Sequence, residues 1–269
     1  MKEVRKNQLF KIYCFLLPLR ISYFYKMKTT NVFGIHSILE AIKSDTPIEK
    51  VWLLKGGKSK LYDRLIYTLK SKTIPFSFVP EEKLEQLSKK NHQRAVARIS
   101  SIKTFEMETL IEEILEKKEL PVFVLLDSIT DVHNFGAIIR SSVAAGVDAV
   151  FTPISNSAPL NGDVVKTSAG NIFHIPISKV KNLKDVIYTL KANEVSVVAI
   201  TEKAEEKIYN KPLNVPIAIV LGSEEKGISK GLLEIIDSHA SIPMQKEINS
   251  LNVSVACGIT LFEIVRQRI

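Results

Sequence analysis

Three stretches of this 269-residue chain combine small, polar and charged side chains in a way that could do chemistry. The first is DSITDVHNFGAIIR, Asp127 to Arg140. The second is LGSEEKGIS, Leu221 to Ser229. The third runs from IPM, Ile242 to Met244, to SLNVS, Ser250 to Ser254. Each follows an apolar run. Each therefore falls at the carboxyl end of an expected strand, where open α/β sheets bind ligands. Three such loops converging make a pocket a stronger expectation than three unrelated turns. In the third stretch Ser250, Asn252 and Ser254 alternate with Leu251, Val253 and Val255 at the mouth of the last helix. Ser and Asn are good helix N-caps, and the same groups could face a ligand.

Several chemistries are disfavoured. No G-x-G-x-x-G follows a strand and no G-x-x-x-x-G-K-[ST] occurs, which argues against ordinary dinucleotide and NTPase folds. No G-x-S-x-G supplies an acyl-transfer serine. His133 and His174 lack metal-ligand spacing with Cys, Asp or Glu, so no metal is expected, and a structural hydrogen-bonding role is the ordinary one for such histidines. The two cysteines, Cys14 and Cys257, build neither a disulfide framework nor a zinc site. They suit a reducing, cytosolic compartment.

The elements that must hold these loops can be read from periodicity. PVFVLLDSI, from Pro121, is a near-continuous apolar strand of the kind covered on both faces. FGAIIRSSVAAG is a helix ending at Gly146. DAVFTPI, VSVVAI, IAIVLG and ASIPM are further strands, and LKDVIYTLKANE and SKGLLEIIDS have helical spacing. The expectation for residues 121–269 is an α/β domain with a mostly parallel sheet. Ahead of it, VFGIHSILEAI reads as helix, KVWLL as strand, LYDRLIYTLKSK as helix, PFSFV as strand, EEKLEQLS as helix and AVARIS as strand. This is a small α/β domain over residues 27–102. KTFEMETLIEEILEKKEL, residues 103–120, is expected to be a charged linker helix.

The motifs DSITDVHNFGAIIRSSVAAG, IVLGSEEKGIS and IPMQKEINSLNVSVACGITLFE, in that order, resemble the three signature motifs of the SpoU, or TrmH, family of RNA ribose 2′-O-methyltransferases. The front domain is similar to the ribosomal-protein-like RNA-binding domain of the family's large-subunit rRNA guanosine methyltransferases. One departure is Val132, which stands where many members have Pro and so leaves φ less restrained.

The resemblance implies a fold and a set of roles. The C-terminal sheet would carry a deep trefoil knot, a rare threading among proteins. S-adenosylmethionine would be held by Gly222, Ile242 and Leu251, with Leu221, Met244 and Thr201 beside them; Ile242 and Leu251 would sandwich the adenine. Arg140 would have the central catalytic role. A guanidinium stays charged, so it suits stabilising a developing alkoxide and anchoring a phosphate better than acting as a base. Asn134 would orient that arginine and the ribose, Glu224 would anchor the site at or near a dimer interface, and Ser250 and Asn252 would complete the hydrogen bonding. The implied activity is methylation of a ribose 2′-hydroxyl in RNA by a homodimer, with a guanosine of large-subunit rRNA as first target and tRNA as second. A non-catalytic RNA-binding protein of the same fold, and a small-molecule methyltransferase, are the other readings.

Charge agrees with a polyanionic partner only in part. Residues 1–26 hold six Lys or Arg against one acidic residue, so +5 of the net +8 sits there. That basic extension is too interrupted by Pro18, Arg20 and Lys26 for a signal peptide and too short for a membrane span. It is expected to be disordered or to lie upstream of a true start at Met27. No membrane partner is expected.

Overall fold

A computed structural model describes residues 29–245 and 250–269. The basic extension, residues 1–26, lies outside the described residues. The front unit is a four-stranded mixed sheet in the order β1-β4-β2-β3, formed by Thr29–Phe33 (β1), Ile48–Leu54 (β2), Phe76–Val79 (β3) and Ala95–Ser100 (β4). Helices Ile35–Lys43 (α1), Lys60–Ser71 (α2) and Glu81–Leu87 (α3) connect them. Val32 and Phe33, expected at the start of a helix, close β1 instead. Gly34 then turns the chain at φ 94, a left-handed conformation natural to glycine, and the helix begins at Ile35.

Helix α4, Met107–Leu115, covers half of the stretch expected as a linker helix. Met107, Leu110 and Ile111 are buried in one cluster with Phe123, Leu125 and Leu190, so this helix packs on the second unit.

The second unit is a six-stranded sheet, every pair of it parallel, in the order β10-β8-β9-β5-β6-β7. Its strands are Val122–Asp127 (β5), Ala149–Pro153 (β6), Ile177–Val180 (β7), Ser196–Ile200 (β8), Ile217–Gly222 (β9) and Ser238–Ala240 (β10). β5 and β9 lie at the centre and are apolar nearly throughout, because both of their faces are covered. Val122, Val124 and Leu126 face one cluster and Phe123 and Leu125 the other. Helices Val132–Ala144 (α5), Gly162–Thr167 (α6) and Val253–Arg268 (α9) belong to the first cluster, and Leu183–Ala192 (α7) and Lys230–Leu233 (α8) to the second. Two expectations shift. The last strand is SHA rather than ASIPM, and SKGLLEIIDS gives only the four-residue helix α8. β7 and α6 are additional elements.

The two units share an apolar cluster and touch closely. A Cβ on Gly162 would lie 2.1 Å from the carbonyl oxygen of Asn31, so only glycine permits that approach. Nζ of Lys90 is 2.5 Å from Oδ1 of Asp163, and Nε2 of His174 is 2.9 Å from Oε2 of Glu40. Burial pushes the Glu40 carboxyl up, but Lys43 and His174 together hold it below the usual carboxylate range. His174 is thus the hydrogen-bonded structural histidine expected of it.

The end of α9 is clamped to the chain ahead of β9. Gln267 donates to the carbonyl of Lys211 and accepts from the amide of Leu213, and Arg268 donates to the carbonyls of Leu120, Leu213 and Val215. Glu263, 6% exposed, receives both arms of Arg266 and the amide of Gln267. The Arg266 hydrogen bonds hold its carboxyl down at about 2, well below the usual carboxylate range. A depressed carboxylate contributes stability that is present above its unfolded pKa and lost as pH falls through the folded one. Glu263→Gln should therefore cost about 1 kcal/mol near neutrality, because solvent screens the exposed Arg266. Urea titrations should show the gap to wild type closing as pH falls from about 4.5 towards about 2.

Candidate active site

The carboxyl ends of β8 and β9 and the chain leading into α9 enclose a cleft. Thr201, Leu221, Gly222, Ile242, Met244 and Leu251 all line it. These are the six positions expected to hold a cofactor, brought together from three separate segments. Ile228, Val253 and Ala256 add apolar wall that sequence reasoning did not single out. Ser250 lines the same cleft. The lining thus joins apolar side chains to polar and charged ones, among them Thr201, Glu202, Lys203, Glu224 and Lys226. It suits a ligand with a flat apolar part and a polar tail.

The chain itself requires glycine at position 222. The loop after β9 folds back on itself, with the amide of Gly227 donating to the carbonyl of Ser223 at 2.8 Å. A Cβ at residue 222 would sit 2.0 Å from the carbonyl carbon of Gly227. Across the base of the loop, buried Asp127 accepts from the amide of Ser229 at 2.8 Å and from the hydroxyl of Ser128 at 3.0 Å. This carboxylate ties the end of β5 to the loop and was not among the expected site residues.

At the rim three side chains close a ring. Asn134 donates to Oε1 of Glu224 at 3.1 Å, and Asn252 donates to Oδ1 of Asn134 at 2.9 Å and to the same Glu224 oxygen at 2.5 Å. The other end of the Asn252 amide caps α9, accepting from the amide of Ser254 at 2.9 Å and from its hydroxyl at 2.5 Å. One asparagine thus caps α9 with its oxygen and closes the ring with its nitrogen. Asn134 is fixed in turn by Asp131, which caps α5 and accepts from its amide at 2.8 Å. Glu224 is a charged acceptor held by two amide donors, which strengthens the bonds over neutral ones.

Arg140 stands apart. It lies on α5 six residues after Asn134, about 9 Å along the axis and on another side of the helix. It is exposed, makes no hydrogen bond or ion pair among the described residues, and lines neither this cleft nor the cavity beside it. Near it α9 packs on α5, with Gly258 against Ser141. The outer side of α9 exposes Val255 and Phe262, 49% and 53%. Cys257 is fully buried, and burial pushes its thiol up to about 12, which removes it from any nucleophilic role. Among the described residues no group of His, Cys, Asp and Glu could hold a metal ion, and no helix is long and apolar enough to cross a membrane.

A parallel sheet with a cleft at the carboxyl ends of β8 and β9, rimmed by an Asn–Glu–Asn ring, places the second unit among the open α/β domains. Comparison with known proteins narrows it. Residues 121–262 match the SpoU rRNA methylase family, and residues 31–105 match the RNA 2′-O ribose methyltransferase substrate-binding domain. The chain belongs to the SpoU rRNA methylase family. It is 36% identical to the 23S rRNA (guanosine-2′-O-)-methyltransferase RlmB of Shewanella oneidensis, over 90% of this chain and 98% of that one. It is 33% identical to YacO of Bacillus subtilis, provisionally named a TrmH family tRNA/rRNA methyltransferase, over 88% of this chain and 95% of that one. Its fold superposes with a TM-score of 0.76 on the SpoU methyltransferase AviRb from Streptomyces viridochromogenes in complex with AdoMet, at 22% identity and covering 90% and 92% of the two chains.

Proposed function

We propose that the cleft binds S-adenosylmethionine and that the chain methylates a ribose 2′-hydroxyl in RNA, with a guanosine of large-subunit rRNA as its target. The observation that carries this reading is the convergence of Thr201, Leu221, Gly222, Ile242, Met244 and Leu251 on one cleft bordered by the ring of Asn134, Glu224 and Asn252. The identity to RlmB, named for guanosine 2′-O-methylation of 23S rRNA, supports the choice of RNA. The substrate-binding match over residues 31–105 supports a role for the front domain in holding it. A cytoplasmic location follows from that substrate.

Ile242 and Leu251 would hold the adenine between apolar side chains, and main-chain groups of residues 221–228 would hold the polar remainder. When bound, the cofactor supplies an electrophilic methyl group on a sulfonium. The chain's task is then to orient the acceptor oxygen and stabilise it as its proton leaves. Asn134, Glu224, Ser250 and Asn252 would position the ribose. Arg140 would stabilise the alkoxide and hold a neighbouring phosphate.

Arg140 lines neither cavity of its own chain, which supports a homodimer in which it serves the partner's cleft. The exposed Val255 and Phe262 beside α5 offer the apolar surface for such a contact. We also infer that the C-terminal segment is threaded as a trefoil knot, which would account for Ile242, Met244, Leu251, Val253 and Ala256 lining one cleft with the loop after β9.

The test is transfer of labelled methyl from S-adenosylmethionine to rRNA and tRNA transcripts, followed by alkaline digestion. The reading expects alkali-resistant dinucleotides from rRNA. Label in tRNA alone would redirect the substrate, and no label in any RNA despite cofactor binding would leave an RNA-binding protein of this fold.

A further inference from the structure

A second cavity adjoins the cleft. Ser128, Thr130 and Asp131 line it from the loop after β5, Asn134 from the start of α5, and Asn156 from the loop after β6. It shares residues 223–226 and Val253 with the cleft, so Glu224 borders both.

The wall bearing Asn156 is built with some cost. Ser128, with φ 60, and Asn156, with φ 54, both adopt the left-handed conformation that L side chains rarely take. Two such residues at one cavity fit the pattern in which local strain collects at ligand sites. The Asn156 loop is anchored from below. The amide of Ala158 donates to the carbonyl of Ile129 at 2.8 Å, and the hydroxyl of Ser157 donates to the carbonyl of Pro153 at 2.6 Å. Lys179, on the edge strand β7, reaches in to donate to the hydroxyl of Ser157 at 3.3 Å and the carbonyl of Ala158 at 3.4 Å. Lys179 is half-buried, and the desolvation lowers its pKa. These two bonds tie the loop to β7. Asn156 itself is exposed, and its side-chain amide makes no hydrogen bond among the described residues.

We propose that this second cavity receives the nucleobase of the acceptor ribonucleotide, turned out of its stack, and that Asn156 reads the edge of that base. The inference rests on the cleft being the methyl donor's site. A ribose presented at the partition between the two cavities carries its base one bond away. The cavity on the far side of Glu224, lined by Thr130, Asn134 and Asn156, is where that base can go. The Asn156 amide offers both a donor and an acceptor, which suits a base edge. Lys179 is a positioning residue that holds Asn156 in place.

The experiment uses the full chain and an RNA fragment that the wild type methylates, alongside the same fragment with the acceptor base replaced. Asn156→Gly removes the amide while keeping φ above zero unstrained, and Asn156→Asp keeps the shape but removes the donor. Both should lower kcat/KM for the fragment about tenfold and bring the preference for the natural base close to one, with S-adenosylmethionine affinity unchanged. Lys179→Met should erode the same preference, which a purely structural loss would not do. Wild-type base preference in both Asn156 variants would overturn the inference while leaving the methyltransferase reading intact. A wild-type chain that methylates no RNA would overturn both.

Discussion

Gly222→Ala should lower S-adenosylmethionine affinity at least about a hundredfold while leaving the fold in place, an effect of about 3 kcal/mol. The added methyl would meet the carbonyl carbon of Gly227 at 2.0 Å, its oxygen at 2.2 Å and the amide nitrogen of Ile228 at 2.2 Å. All three are backbone atoms, so no rotamer change clears the space and the loop itself must move. The loop is pinned at its far end by Asp127 through the amide of Ser229. Outward movement therefore breaks that bond or the turn between Ser223 and Gly227, and it withdraws Glu224 from Asn134 and Asn252. Calorimetric titration with the cofactor, with circular dichroism as the check on folding, reads the effect. Wild-type affinity in this variant would show that the loop after β9 is not part of the binding site.

Arg140→Ala should reduce methyl transfer by a factor of about a thousand or more, while cofactor affinity stays within about tenfold of wild type. The separation is expected because Arg140 lines no part of the cleft of its own chain. It would act on the oxygen of the substrate, not on the cofactor. Equal loss of affinity and turnover would contradict this assignment. The dimer supplies a second readout. If Arg140 serves the partner's cleft, mixing the Arg140→Ala and Asn252→Ala chains should rebuild one complete site in each mixed dimer and restore about a quarter of wild-type activity. If both residues act within one chain, each mixed dimer contains two broken sites and activity stays low.

Residue pattern and structure agree most closely where physics makes the pattern redundant. β5 and β9 are apolar on both faces because helices cover both sides of the central sheet, so their identity survives any error of a residue or two. β1 was hidden because TTNVF begins polar at a sheet edge and runs straight into the apolar spacing of α1. β10 is only Ser238–Ala240, too short to show a period, and the apolar IPM beyond it drew the expected strand too far along the chain. Leu221, Gly222, Ile242, Met244 and Leu251 were legible through the second and third of three ordered motifs, while Thr201 lies outside them. Asp127 was not, because a buried carboxylate at the end of an apolar strand declares its partner, the amide of Ser229, only when the chain is folded. Asn156 sits outside those motifs, and only the shape of the second cavity singles it out. The remoteness of Arg140 was written in helix geometry: six residues at 100° each turn it away from Asn134.

Hydrogen exchange of the full chain with and without S-adenosylmethionine tests the central claim most directly. The account predicts that one equivalent of cofactor slows exchange in two separate stretches, the loop from Leu221 to Ile228 and the entry to α9 around Leu251 to Ala256, which line the same cleft. Saturating cofactor that leaves both stretches unprotected, or protects only a site elsewhere, would contradict it.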